Sequence, residues 1–308
     1  MVRRLFAFIP MLVATWLVAL SPKVGAAEPF FFIQLSDPQL GMFTENRDFA
    51  QDAANFEFAV TAVNRLRPAF VIVTGDLVHK PGDAAQIAEY LRIEGKIDRS
   101  IPVYRVAGNH DVNNEPTAES LEAYTKIFGA DRFTFRHAGL IGIVLNSSLI
   151  HSPQKAPEAL AEQDRWLGAE LAKARTVNPR HLVVFQHHPW FLKSAAEADQ
   201  YFNIPTERRA AHLALFREFG VRYLFCGHYH RNAEARDGEL EAVTSGPVGK
   251  PLGGKSGIRV AIVRDDRIEH RYYELSELPV KIEFDPPAKK EKKAPAKKGE
   301  KAEKGETK

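Results

Sequence analysis

Cysteine is nearly missing from this chain: Cys226 stands alone among 308 residues. No internal disulfide can form, so stability has to come from the core and from bound metal rather than from cross-links. Internal repeats with a period of about 20–50 residues are absent too, which excludes solenoids and propellers. The one long apolar stretch, Leu5 to Leu20, is broken by Pro10 and falls short of the ~20 residues a membrane span needs. Positive charge is in surplus only at the ends. Of the chain's +3, Arg3, Arg4 and Lys23 supply +3 and residues 286–308 a further +5, which leaves −5 for residues 28–285. A mildly acidic folded part argues against specific nucleic-acid binding.

Both ends read as lying outside the fold. Arg3 and Arg4, the apolar stretch behind them and the small residues Val24-Gly25-Ala26-Ala27 make up a secretory signal peptide over residues 1–27, with cleavage after Ala26 or Ala27. A retained anchor is the competing reading, and no cysteine near the junction could carry a lipid. The expected location is secreted or periplasmic, with no stable membrane span after cleavage. Residues 286–308 contain nine Lys and four Glu and no aromatic or β-branched apolar residue, so they are expected to form a disordered tail. Residues 28–285 are about the length of one large domain.

Within that domain, apolar runs alternate with helical patterns. Phe30 to Leu35 reads as a strand, Asp52 to Leu66 as a helix, Phe70 to Val73 as a buried parallel strand, Ala84 to Asp98 as a helix and Ile101 to Ala107 as a strand. This βαβ order places three strand ends on one edge. Thr117 to Phe128 then reads as a helix, Phe133 to Leu145 as a hairpin and Pro157 to Ala174 as a helix. His181 to Phe185 is a buried strand, Glu207 to Phe219 a helix and Val221 to Cys226 another strand. Glu239 to Ser245, Ile258 to Arg264 and Arg267 to Glu274 read as antiparallel strands. The expected class is α/β, a two-sheet β-sandwich flanked by helices.

Five strands end in residues able to bind a metal: Asp37 and Gln39, Asp76, Asn109 with His110, His187 with His188, and His228 with His230. Singly, a Gly-Asp is a turn and one His-x-His is weak. Together they offer mixed oxygen and nitrogen ligation, suited to Mn, Fe, Zn, Co or Ni rather than Mg or Ca alone. That many candidate ligands are too many for one ion and suit two that share a carboxylate, as in centres that cleave at phosphorus.

The order Asp37-Pro38-Gln39, Gly75-Asp76, Gly108-Asn109-His110-Asp111, His187 and Gly227-His228-Tyr229-His230 resembles the calcineurin-like metallophosphoesterase family over about residues 30–275. Ser36-Asp37-Pro38-Gln39, Gln186-His187-His188-Pro189 and Gly227 to Ala233 look most like its CPPED1-type branch, some members of which are protein Ser/Thr phosphatases. The resemblance implies an α/β/β/α sandwich with two divalent ions, Mn, Fe or Zn. Asp37, Gln39, Asp76 and His230 would hold the first ion, Asn109, His187 and His228 the second, and Asp76 would bridge them. His187 is preferred to His188 because the family's ligand lies two residues before the proline. His110 would protonate the leaving oxygen, Asp111 would orient its imidazole, and a metal-bridging hydroxide would attack phosphorus. Trp190, Tyr229, Arg231 and Asn232 would line the pocket mouth, and His79, His137 and His151 read as ordinary histidines. The implied activity is phosphate-monoester hydrolysis, on a phosphorylated small molecule or a cell-surface phosphate ester. A phosphodiesterase and a degenerate binding module are the alternatives.

Gln39 departs from the family, most of which has histidine there. An amide oxygen is a poorer donor to Zn than imidazole and suits the harder Mn, so Mn is favoured at that site. Gln39→His is expected to raise Zn or Fe occupancy, read by elemental analysis of the purified protein; unchanged metal content refutes the assignment.

Overall fold

The computed structural model describes residues 28–284, so the signal peptide over 1–27 and the tail over 286–308 lie outside the described residues. The first sheet joins β1 (Phe30–Leu35), β2 (Val71–Thr74) and β3 (Val103–Val106) in parallel; β10 (Gly257–Val263) pairs antiparallel with β1, and β11 (Ile268–Glu274) with β10. The second runs β4 (Phe133–His137), β5 (Leu140–Val144), β6 (His181–Phe185), β7 (Tyr223–Cys226), β9 (Leu240–Thr244) and β8 (Ala233–Asp237), parallel from β5 to β9 with antiparallel edges. Helices α1 (Ala50–Leu66), α2 (Ala84–Glu94) and α4 (Ala118–Phe128) pack on the first sheet, and α6 (Pro157–Val177) and α7 (Thr206–Phe219) on the second.

The two-residue period of a strand explains this layering. In β1, Phe31, Ile33 and Leu35 face the helices while Phe32 enters the core between the sheets. In β6, Leu182 and Val184 face helices and Val183 and Phe185 meet that same central core. Strands covered on both faces read as continuous apolar runs, which is why they were legible. Among the described residues no helix is long and apolar enough to cross a membrane.

Several boundaries differ from the sequence reading. The second helix stops at Glu94, where the Gly95 N–H bonds back to the Leu91 carbonyl, rather than continuing to Asp98. The sixth runs to Val177, past Ala174, and Asn178 closes it in a left-handed conformation. Strand β8 escaped notice because Glu234 and Arg236 alternate with its inward residues at an exposed edge. Strand β9 is antiparallel to β8 but parallel to β7, and the β10–β11 hairpin belongs to the other sheet. Two short helices, α3 (Asn109–Val112) and α5 (Ser147–His151), were also unforeseen, being too short and polar to show a periodicity.

Asp52, in the first turn of α1, is fully buried and accepts the Gly41 N–H at 3.1 Å, while its second carboxyl oxygen has no partner. Burial pushes its carboxyl up to about 6. The folded chain therefore keeps this proton at a pH where the unfolded chain has released it, so stability is lost as pH rises from about 4 through about 6. Asp52→Asn is expected to be the more stable protein at pH 8 by about 2–3 kcal/mol, with the difference vanishing below about pH 4. Urea midpoints of both proteins across that range check the sign.

Candidate metal centre

The ligand-bearing loops depart sharply from their strands. Asp37 (φ 47°), Gln39 (φ 40°), Asp76 (φ 50°), His228 (φ 66°) and His230 (φ 52°) all adopt the left-handed conformation. Such residues cost about 1–3 kcal/mol each and persist where their surroundings over-determine them. Glycines make the close approaches possible. A Cβ on Gly108 would stand 2.1 Å from the Asp76 nitrogen and 2.2 Å from its Oδ1, and one on Gly227 would meet Ser36 Oγ at 2.2 Å.

Seven strand-end residues come together at these loops, all buried: Asp37, Gln39, Asp76, Asn109, His187, His228 and His230. Asp76, His187 and His228 form one group whose donor atoms lie within 4.8 Å of one another; Asp37, Asp76 and His230 form a second, so Asp76 is shared. His187 Nε2 lies 3.3 Å from Asp76 Oδ2, 2.9 Å from Asn109 Oδ1 and 3.1 Å from His228 Nδ1, and His230 Nε2 lies 3.4 Å from Asp37 Oδ1.

The outward sides of the three imidazoles meet backbone carbonyls: His187 Nδ1 donates to Thr74 O at 2.9 Å, His228 Nε2 to Tyr201 O at 3.2 Å and His230 Nδ1 to Lys250 O at 2.6 Å. A carbonyl only accepts, so each neutral ring turns a lone pair inward. Asn109 Nδ2 donates to Asn114 Oδ1 at 2.8 Å, which aims the Asn109 oxygen at the same point. The Gln39 oxygen is buried without a partner, its amide nitrogen lying 3.3 Å from His79 Nδ1. The interior is thus a set of acceptors facing acceptors, a donor set that fits divalent cations.

The titration of these groups follows. Burial opposes charge on Asp76, but His187 and His110 outweigh it and hold the carboxyl far below the usual carboxylate range. Burial raises the Asp37 carboxyl. His187 is driven up to about 9, because the carboxylates of Asp76 and Asp37 overcome its burial. Burial lowers His188 and His228.

His110 borders the centre. Its backbone N–H donates to Asp76 Oδ1 at 2.9 Å, and its ring Nδ1 donates to the His79 carbonyl at 2.6 Å. The orienting partner expected at Asp111 is therefore the His79 carbonyl instead. The Asp111 carboxylate accepts the backbone N–H groups of Gly108 (2.8 Å), Leu77 (2.9 Å) and Val78 (3.4 Å), fixing the turn that carries Asn109 and His110. Burial and the charge of Asp76 push this carboxyl up to about 8.

Other expected positions are also corrected. Trp190 is fully buried, 5.3 Å ring to ring from Phe216 in the helix-side core, and lines no pocket mouth; its large apolar ring is stabilised by that burial. Asn232 accepts from Gly246 N at 2.9 Å and from Arg259 at 2.7 Å, which spends its oxygen on structure. Arg231 is exposed, its Nε bonded to the Leu252 carbonyl, and its guanidinium lies 5.7 Å from the centre of the half-buried Tyr229 ring. His188 belongs to neither donor group: its Nδ1 lies 3.0 Å from Ser147 Oγ. Two histidines read as ordinary reach the site instead. His79 stacks on His110 at 4.8 Å, and His151 stacks on His188 at 4.6 Å. Tyr201, 5.0 Å from the His228 ring, was missed; the adjacent aromatics Tyr201-Phe202 in an otherwise polar loop were the available signal.

The calcineurin-like phosphoesterase family model matches residues 32–232. The chain is 38% identical over 270 residues to serine/threonine-protein phosphatase CPPED1 of Homo sapiens, covering 82% of this chain and 86% of that protein. It is 40% identical over 266 residues to the Rattus norvegicus CPPED1, covering 81% and 85%. Among solved structures, a dimetal phosphatase from Danio rerio shares the fold with a TM-score of 0.59 at 17% identity, over 80% of this chain and 97% of the other. Purple acid phosphatase PPD1 from yellow lupin shares it at 0.63 and 13%, over 82% and 52%.

Gly108→Ala is expected to leave far-UV circular dichroism unchanged and to weaken divalent-metal affinity by about 10–100-fold, since it displaces Asp76 through its supporting contacts. Metal titration of the apoprotein checks it.

Proposed function

The chain belongs to the calcineurin-like phosphoesterase family, and from that premise we propose that it is an exported phosphatase hydrolysing small phosphate monoesters with two divalent ions. The observation that carries this reading is the pair of buried donor groups sharing Asp76, with a half-buried imidazole, His110, at their border. Asp37, Gln39, Asp76 and His230 would hold one ion, and Asp76, Asn109, His187 and His228 the other. Ions bound there would activate a water and neutralise charge developing at phosphorus. The neutral amide at Gln39 makes Mn the favoured occupant of the first position, with Fe or Zn the other candidates.

The chain's own residues do the rest. Asp111 and the Gly108 turn hold Asn109 and His110 in register. The His79 carbonyl keeps a proton on His110 Nδ1, so the proton that the ring gains and gives up is the one on Nε2. As an imidazolium, His110 delivers that proton to the leaving alcohol oxygen as the ester bond breaks. Export is supported by the leader-like first 27 residues, and it favours phosphorylated small molecules or cell-surface esters over intracellular phosphoproteins.

Loaded with Mn, the protein is expected to hydrolyse 4-nitrophenyl phosphate faster than bis(4-nitrophenyl) phosphate. The reverse preference makes it a diesterase, and turnover of neither makes it a binding module. His110→Gln is expected to lower kcat by about 10²–10⁴-fold with bound metal unchanged. Single-turnover rates beside elemental analysis distinguish this from loss of the ions.

A further inference from the structure

Tyr201 is held tightly and yet is 55% exposed. Its carbonyl accepts from His228 Nε2 at 3.2 Å. His228 is a proposed metal ligand and its imidazole lies 5.0 Å from the Tyr201 ring, so the ring borders the centre directly. Phe202 packs edge-on against it at 5.2 Å and 79°, and Tyr229 packs edge-on against Phe202 at 5.1 Å and 77°. These three rings form one strip beside His228, whose imidazole lies 5.0 Å from Tyr201 and 5.6 Å from Phe202. Arg231 lies over Tyr229 at its far end.

The loop that carries Tyr201 and Phe202 is braced from below. Buried Arg209 donates to the carbonyls of Ile204 at 2.9 Å and Glu197 at 2.7 Å. The Glu197 carboxylate accepts from the backbone of Leu192 at 2.9 Å and Lys193 at 2.7 Å and from Asn203 Nδ2 at 2.7 Å. An aromatic surface fixed this firmly next to a metal centre is preorganised for a ligand rather than left by fraying. Whatever lies on it must be joined to a phosphoryl group at the centre. Rings presented side by side reward a planar π-system, which stacks or meets them edge-on, over a flexible aliphatic chain.

Building on the phosphatase reading, we propose that Tyr201, Phe202 and Tyr229 form a subsite for a planar aromatic ring, so that the preferred substrates are phosphate monoesters bearing a nucleobase or aryl group. The test uses the full chain loaded with Mn and two pairs of primary alkyl esters with matched leaving groups. One pair is uridine 5′-monophosphate against ribose 5-phosphate, the other 2-phenylethyl phosphate against butyl phosphate. The ring-bearing ester is expected to have kcat/KM about tenfold or more above its ringless partner. A preference in the first pair alone assigns a nucleobase, and a preference in the second an aryl ring. Tyr201→Ala combined with Phe202→Ala should bring the ratio close to one, while Tyr201→Phe should keep it. Equal rates within both pairs, or a ratio unmoved in the double variant, overturn the subsite while the phosphatase stands. Turnover of no ester overturns the phosphatase, and calorimetric affinities of the same four esters for the Mn-loaded protein then decide whether a ring is preferred.

Discussion

Everything at the strand edge depends on side-chain lone pairs that converge on one buried place. A buried amide or carboxyl oxygen ordinarily finds a hydrogen-bond donor. Here Asp37, Asp76, Asn109 and the imidazoles of His187, His228 and His230 approach one another to 2.9–3.4 Å, and the charge that could reconcile them is positive. His187 shows the tension without metal: its neighbours pull it toward protonation against the full penalty of burial. The imidazole N–H groups that have carbonyl partners are turned outward, away from the carboxylates.

That orientation is secured by backbone carbonyls of the surrounding loops. Thr74, Tyr201 and Lys250 each contribute a carbonyl, and those carbonyls set the protonated side of each imidazole. Any residue type supplies a carbonyl, so this contribution leaves no mark in the sequence. Both sheets have to dock for the set to close, because Asp37, Asp76 and Asn109 follow strands of one while His187, His228 and His230 follow strands of the other. The central aromatic core of Phe32, Phe70, Phe185 and Phe225 therefore fixes the geometry of the centre from behind.

Strands sandwiched between layers were legible because burial on both faces leaves an unbroken apolar run, and the donor residues were legible because they sit where those runs stop. Edge strand β8 was not, since half its residues face water and carry charge. Trp190 follows His187 closely enough to suggest the pocket, but proximity in the chain says nothing of direction, and its ring turns into the core. Asp111 sits next to His110 and bonds the backbone beneath it instead of the ring. His79, His151 and Tyr201 went unread because their contributions come through a carbonyl, a stacked face and a loop conformation, none of which has a signature in residue type.

Strand β1 lies at the middle of its sheet, and one of its two neighbours is β10, with Phe30 paired to Val263. The first strand to be synthesised thus waits for nearly the whole polypeptide before its second flank is covered. Long-range pairing of this kind slows folding, because loop-closure entropy must be met before the contact is made. A newly made chain wired this way completes its first sheet only when the β10–β11 hairpin arrives.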